Sequence, residues 1–317
     1  LLYVSYGRDL GNQINDQVPG DKGSENYALG YVLPIDRWLL DANASHYAYN
    51  QTVAGANQDY RYRGESDNLT VGSHYLAHRD ANSKTWFNAG GFVKSQNNYI
   101  DDTEVDVQRR KIAGWTAGLT DERKLGDASL RTELTYQRGT GALDAIDPPE
   151  RLFNEGTART GIYKLSSSLT RPFRLTVANK PQQWVYSGSL KGQYAMDALV
   201  PSERMAIGGR YSVRGFDGER TLAGDHGVLA RQDVSLYLGN QPHAIYAGVD
   251  AGYVSMKNKD QNDLLLGHSL VGAAVGIKGQ IAPLHASYDV FTGYPLKQPD
   301  GFGDKHWVSG FSLNFEF

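Results

Sequence analysis

The sequence predicts an all-β protein, an antiparallel barrel that crosses a membrane with its strands. Three observations predict it. Apolar and polar residues alternate with period two almost from end to end. The connections alternate short and long, as they do when a barrel has tight turns on one side of a membrane and long loops on the other. The mean hydropathy is negative, and no run of about 18 apolar residues exists, so no helix can span. Lipid-facing and lumen-facing residues cancel in such an average. A soluble sandwich is not expected to keep strict alternation through so many strands.

Taken in order, residues 1–9 read as a strand, 10–24 as a long polar loop and 25–33 as a second strand. Pro34-Ile35-Asp36 reads as a tight turn, and 38–50 as a strand rich in Ala and Tyr. A loop at 51–59 leads to a strand ending near His78, the turn 80–83, and a strand from 85 to 94. The loop 96–106 carries Asp101, Asp102, Glu104 and Asp106. Strands at 107–120 and 129–138 flank a turn at 121–127. The long loop 139–158 contains Pro148-Pro149. Strands at 159–170 and 183–195 are joined by 171–182, an exception because it is a longer connection on the short side. The long loop 200–226 precedes strands at 227–239, 243–255, 267–279, 283–293 and 306–317. Tight turns at 240–242 and 280–282 and long loops at 256–265 and 294–305 complete the alternation. The count is 14 strands.

Two strands show their faces clearly. Phe311, Leu313, Phe315 and Phe317 alternate with Ser312, Asn314 and Glu316, one face suited to lipid and the other to a wet lumen. On 243–255, Ile245, Ala247, Val249, Ala251 and Tyr253 share one face, and Tyr246, Gly248, Asp250 and Gly252 the other. Asp250 therefore points to the lumen from a wall of glycines, which leave space for another segment. A buried acid there needs a cation. Arg214 is the candidate, in the glycine-dense and charged stretch Arg210-Tyr211-Ser212-Val213-Arg214-Gly215-Phe216-Asp217-Gly218-Glu219, provided its loop folds inward.

Composition narrows the function. Among 317 residues there is no cysteine, hence no disulfide, thiolate metal site or thiol nucleophile. That usage suits a bacterial envelope protein. The net charge is −3, without the basic footprint of a nucleic-acid binder. No G-x-S-x-G elbow, P-loop or H-E-x-x-H is present, so neither a catalytic set nor a cofactor is expected. His74 and His78, on one strand face, would lie about 13 Å apart, too far for a shared metal. Asn43, Asn50 and Asn68 head chance glycosylation matches. Adjacent Arg109 and Arg110 would face opposite sides, so at most one can line the lumen. His285 and Ser287 share a face on the strand reading, without the third member a hydrolase needs.

The residues also carry a resemblance. Val213-Arg214-Gly215-Phe216 resembles the tip of the sixth external loop in the Omp85 superfamily. Gly248-Val249-Asp250-Ala251-Gly252 is similar to the matching motif on barrel strand 13. Leu199 to Arg204, Ile207 to Arg210, Arg214 to Glu219, Asp101 to Glu104, Arg109-Arg110, Arg138 to Ala142 and Glu155 to Arg159 resemble the two-partner-secretion (TpsB) branch, nearest to the filamentous haemagglutinin transporters. The likeness covers essentially the whole chain.

It implies a 16-stranded barrel in the outer membrane of a Gram-negative bacterium, with residues 1–317 supplying strands 3 to 16. Two strands, a plug helix and two POTRA domains are expected upstream. The chain opens inside a strand pattern, Leu1 to Tyr6, without an initiator Met or a signal peptide. The implied function is export of a large β-helical exoprotein without nucleotide hydrolysis. The implied partners are that exoprotein, outer-membrane lipids and the assembly machinery that reads a terminal Phe. The implied site is the loop motif Val213, Arg214, Gly215, Phe216 and Asp217 against Gly248, Asp250 and Gly252, with Arg214 paired to Asp250. A passive porin and a barrel-protein insertase are the alternatives.

Overall fold

The computed structural model describes residues 1–8, 23–54, 59–101, 103–177, 179–239 and 242–315. The strands are β1 (Leu2–Arg8), β2 (Gly23–Ile35), β3 (Trp38–Ala54), β4 (Asp59–Arg79), β5 (Ser83–Ile100), β6 (Thr103–Glu104), β7 (Arg110–Leu125), β8 (Ala128–Thr140), β9 (Gly161–Val177), β10 (Lys180–Ala195), β11 (Met205–Ile207), β12 (Leu222–Gly224), β13 (His226–Tyr237), β14 (His243–Ser255), β15 (Ser269–Ile281), β16 (Ala286–Lys297) and β17 (Val308–Phe315). One short helix, α1 (Lys259–Asp263), follows β14. A 15-stranded sheet runs in chain order from β1 to β17; β6 pairs only with β5, and β11 and β12 form a separate hairpin.

Two compact units divide the chain. The first comprises Leu1–Ala77, Trp86–Leu119 and Tyr136–Gly161; the second comprises His78–Thr85, Thr120–Thr135 and Ile162–Phe317. In the first unit β2, β3 and β4 form a meander. Ile35 pairs with Trp38 across a two-residue turn. Asp36 takes the left-handed conformation there, at φ 52°, which Asp tolerates better than most residues. Trp38 packs on Tyr75 with ring centroids 4.8 Å apart. In the second unit the exposed residues of β14 are Ile245, Ala247, Val249, Ala251 and Tyr253, while Ala244, Tyr246, Asp250, Gly252 and Val254 are buried. This is the alternation of a wall with lipid on one side. Phe311, Leu313 and Phe315 of β17 are likewise exposed; Phe317 lies outside the described residues.

Several strands outrun the expected limits. At about 3.3 Å per residue, the 21 residues of β4 reach roughly 70 Å, about twice the thickness of a hydrocarbon core. Past the bilayer both faces of a strand meet water, so alternation fades while pairing continues. Much of the expected loop at 96–106 is therefore strand, with β5 running to Ile100 and β6 pairing back on it; Asp102 lies outside the described residues. The loop at 51–59 shrinks in the same way, and 55–58 lie outside the description, as do residues 9–22 of the first loop. Pro34 belongs to β2, opposite Leu39, rather than to the turn. The turn expected at 121–127 narrows to Gly126 and Asp127.

The exception at 171–182 disappears. Val177 pairs with Lys180, and Pro172 and Pro181 sit within paired strands. Thr170, Arg171 and Pro172 are all exposed and interrupt the apolar alternation that Phe173, Leu175 and Val177 resume. His285 lies in a turn at φ 45°, ahead of β16, and so does not share a strand face with Ser287.

Candidate functional site

The site is assembled by the loop between β10 and β13. Its two arms pair as β11 and β12, Met205 opposite Gly224 and Ile207 opposite Leu222, which carries residues 208–221 as one projecting tip. Ile207, Val213, Phe216 and Leu222 of this loop form a buried cluster with Leu229, Val254 and Leu270 of the wall and Phe302 of the 298–307 loop. The residues of β14 they meet are on the face opposite Ile245 and Val249, so the loop covers the inner face. Phe216 and Phe302 meet edge to face, with ring centroids 5.6 Å apart. Asp217 remains exposed at the tip. It accepts a 2.9 Å hydrogen bond from the Glu219 amide, and His306 Nε2 approaches it to 3.4 Å.

Arg214 is held through its amide, its Nε and its Nη2. Its amide donates to Asp250 Oδ2 at 2.9 Å, its Nε to the same oxygen at 2.7 Å, and its Nη2 to Asp250 Oδ1 at 2.7 Å. Nη2 also donates to Asp233 Oδ1 at 2.6 Å. The Arg214 side chain is 4% exposed and the Asp250 side chain 1%. Arg231 stands directly across from Asp250 in the β13–β14 register, its Nε 3.7 Å from Asp250 Oδ1. Two guanidinium groups thus face two carboxylates and the cluster is formally neutral, which buried charge requires. The Tyr246 ring lies 5.7 Å from the Arg214 guanidinium. Its hydroxyl donates to Asp289 at 2.8 Å.

Glycines make the approach possible. Gly215 has φ +100°, and a Cβ there would stand 2.7 Å from the Tyr294 backbone. A Cβ at Gly272 of β15 would overlap the Arg214 carbonyl oxygen, so backbone rests on backbone. At Gly248 a Cβ would overlap the Asp233 carboxylate; at Gly252 it would press Ile207 and Val213 at 3.0 and 3.2 Å.

The structure thus brings Val213, Arg214, Gly215 and Phe216 onto the wall at Gly248, Asp250 and Gly252, with Asp217 at the solvent edge. Sequence reasoning missed Asp233, although its place on the polar face of β13 was a usable signal. It also missed Asp225, fully buried. Asp225 accepts from the amides of Leu199 at 2.9 Å and Lys257 at 2.8 Å and lies 3.4 Å from Arg204 Nε. It ties the base of this loop to the loop after β14. Nothing in the alternation marks it, because it precedes the strand.

Elsewhere His74 contacts Asp41 at 2.7 Å and Asn88 at 2.8 Å, while His78 contacts Asp80 at 3.0 Å. Among the described residues no group of three or more His, Cys, Asp or Glu side chains is placed to hold a metal. Arg110 pairs with Glu150; Arg109 lies before the strand begins, near Glu104 at 3.8 Å.

Comparison with known proteins follows the same lines. The outer membrane transporter CdiB-2 of Burkholderia pseudomallei (strain 1026b) is 28% identical over 302 residues, which are 94% of this chain and 50% of the relative. The chain therefore spans about half the length of the curated relatives it matches. The structure of CdiB from Acinetobacter baumannii superimposes with a TM-score of 0.78 at 30% identity, over 92% of this chain and 50% of that one. BamA from Haemophilus ducreyi lacking POTRA domains 1–3 shares the fold alone, at TM-score 0.57 and 15% identity over 93% of this chain and 63% of that one. The sheet is accordingly an outer-membrane β-barrel wall of the Omp85 type. A family model for the haemolysin secretion/activation proteins ShlB/FhaC/HecB matches residues 1–279, and the chain belongs to this family.

Proposed function

We propose that the protein is an outer-membrane pore that exports a large, β-helical partner exoprotein by two-partner secretion. The observation that carries this reading is the Arg214 cluster, a loop lying on the inner face of the wall and fastened there by one buried guanidinium on two carboxylates. A passive porin needs a constriction but no such fastening. A pore that must stay shut between cargoes and then pass a polypeptide needs a loop with a definite closed position. The relatives named as outer membrane transporters support the same reading. It assigns no catalytic residue and no cofactor. The periplasm offers no nucleotide, so folding of the cargo outside supplies the bias.

In this reading Arg214 and Asp250 form a latch, Asp233 and Arg231 balance its charge, and Phe216 and Asp217 position the tip. The test compares surface and medium proteins of the source bacterium with and without the gene. One large polypeptide disappears with the gene and returns with the wild type. It does not return with Arg214→Ala at matched barrel abundance. An unchanged secreted profile alongside lost small-solute uptake sinks the reading and favours a porin.

A further inference from the structure

A second charged feature lies far from the loop, at the tight-turn end of the second unit. A cavity of about 520 Å³ opens there between the turn after β4 and strands β5, β7, β8 and β9. Its volume is that of a ligand site. Five of its lining residues are Arg or Lys and two are acids, against a chain whose net charge is −3.

The acids are already engaged. Asp80 accepts from the amides of Asn82 at 2.7 Å and Ser83 at 2.6 Å, and contacts His78 at 3.0 Å. The His78 contact, with those amides, holds its carboxyl well below the usual range. Glu122 pairs with Arg131, and Arg123 with Asp121 at 2.6 Å. Arg79, Lys84 and Lys124 have no ion-pair partner among the described residues. Ser129, Ser168 and Thr170 add three hydroxyls with no side-chain hydrogen bond among those residues.

The alternation of each strand sorts the faces. Phe87 of β5, Leu119 of β7, Leu134 of β8 and Tyr163 of β9 are exposed on the apolar side. Lys84, Lys124, Ser129, Ser168 and Thr170 have the opposite parity and so belong to the lumen side. Tight turns mark the periplasmic end of such a barrel. Unpaired cations and free hydroxyls at that mouth complement carboxylates, and unpaired charge in a cleft focuses ligands of opposite sign.

We propose that this cavity is a docking pocket for acidic segments of the extended polypeptide entering the pore. The inference rests on the export reading and adds a chemical preference to it: the cargo is engaged through Asp and Glu side chains at the entrance, before the latched loop is reached.

The full-length transporter in a planar bilayer tests it, with a synthetic peptide of alternating Glu and Ser as probe and the Gln-Ser isostere as control. The acidic peptide blocks ion current from the tight-turn side, and the block weakens as salt rises. Replacing Lys84 and Lys124 together by Gln weakens the block at least about tenfold. Restoring the charge with Lys84→Arg and Lys124→Arg restores it. Equal block by the isostere, or undiminished block of the double Gln variant, overturns the pocket. So does loss of co-purifying anionic phospholipid from the Gln variant with peptide block intact, which would make it a headgroup site. Peptide block without any change in secreted proteins overturns the export reading alone. Confirmed export with no peptide block overturns the pocket alone.

Discussion

Two long loops of this chain, 141–160 and 196–225, solve one problem with opposite use of charge. Each folds back onto the sheet at a glycine. A Cβ at Gly139 would overlap the carbonyl oxygen of Ala158, as one at Gly272 would overlap that of Arg214. Yet the first loop leaves most of its charge at the surface; only Glu150 turns inward, to the half-buried Arg110 of the wall. Arg151 and Asp147 pair at 2.5 Å with side chains 52% and 39% exposed. The second buries a guanidinium. The difference lies in the wall and not in the loop: β13 and β14 present Asp233 and Asp250 on the face where the loop lands. A small residue permits approach, but only an acid already on the inner face allows a cation to be buried there.

The largest effect expected from this contrast follows Asp250→Asn. Arg214 stays buried with only Asp233 as a charged partner, and the cost is about 3–5 kcal/mol. Urea unfolding of the purified protein, followed by gel mobility with and without heating, reads this as a lower midpoint. Trypsin then reaches Arg214. An unchanged midpoint with Arg214 still protected would show that the cluster contributes little. Next come the two glycines. Gly272→Ala and Gly139→Ala each push backbone from backbone, at about 1–3 kcal/mol apiece. They differ in outcome, because only Gly272→Ala opens Arg214 to trypsin. Equal protection in both variants would remove the link between wall glycine and latch.

What could be read from the sequence follows from where water lies. Within the bilayer one face of a strand is apolar, so Ile245, Val249 and Tyr253 betrayed the face of Asp250 without any structure. Beyond it the signal weakens: β5 continues to Ile100 through the polar run Gln96-Asn97-Asn98, in which Asn98 is buried, and β9 continues to Val177 past the exposed Arg171 and Pro172. Pairings across the sheet were legible only in part. Arg214 and Asp250 stand out because each is a charge among glycines. Asp233 was visible as a polar-face residue, but that it reaches the same guanidinium depends on the β13–β14 register, in which Asp233 stands opposite Gly248. A residue like Asp225, buried by three converging segments, has no local pattern at all.

The smallest effect sharpens the comparison from the other loop. Arg151→Ala removes an exposed ion pair four residues apart. Such pairs contribute between about 0 and 1 kcal/mol, because water already solvates both partners and ordering two long side chains costs entropy. Raising the salt concentration screens what remains. The expected result is a midpoint within about 0.5 kcal/mol of wild type that converges on it at high salt, while the Asp250→Asn deficit persists because its charges are shielded from the counterions. If Arg151→Ala destabilised as strongly as Asp250→Asn, burial would not be the variable that separates the two loops. The short helical turn at Pro149–Phe153 would then carry a structural charge of its own.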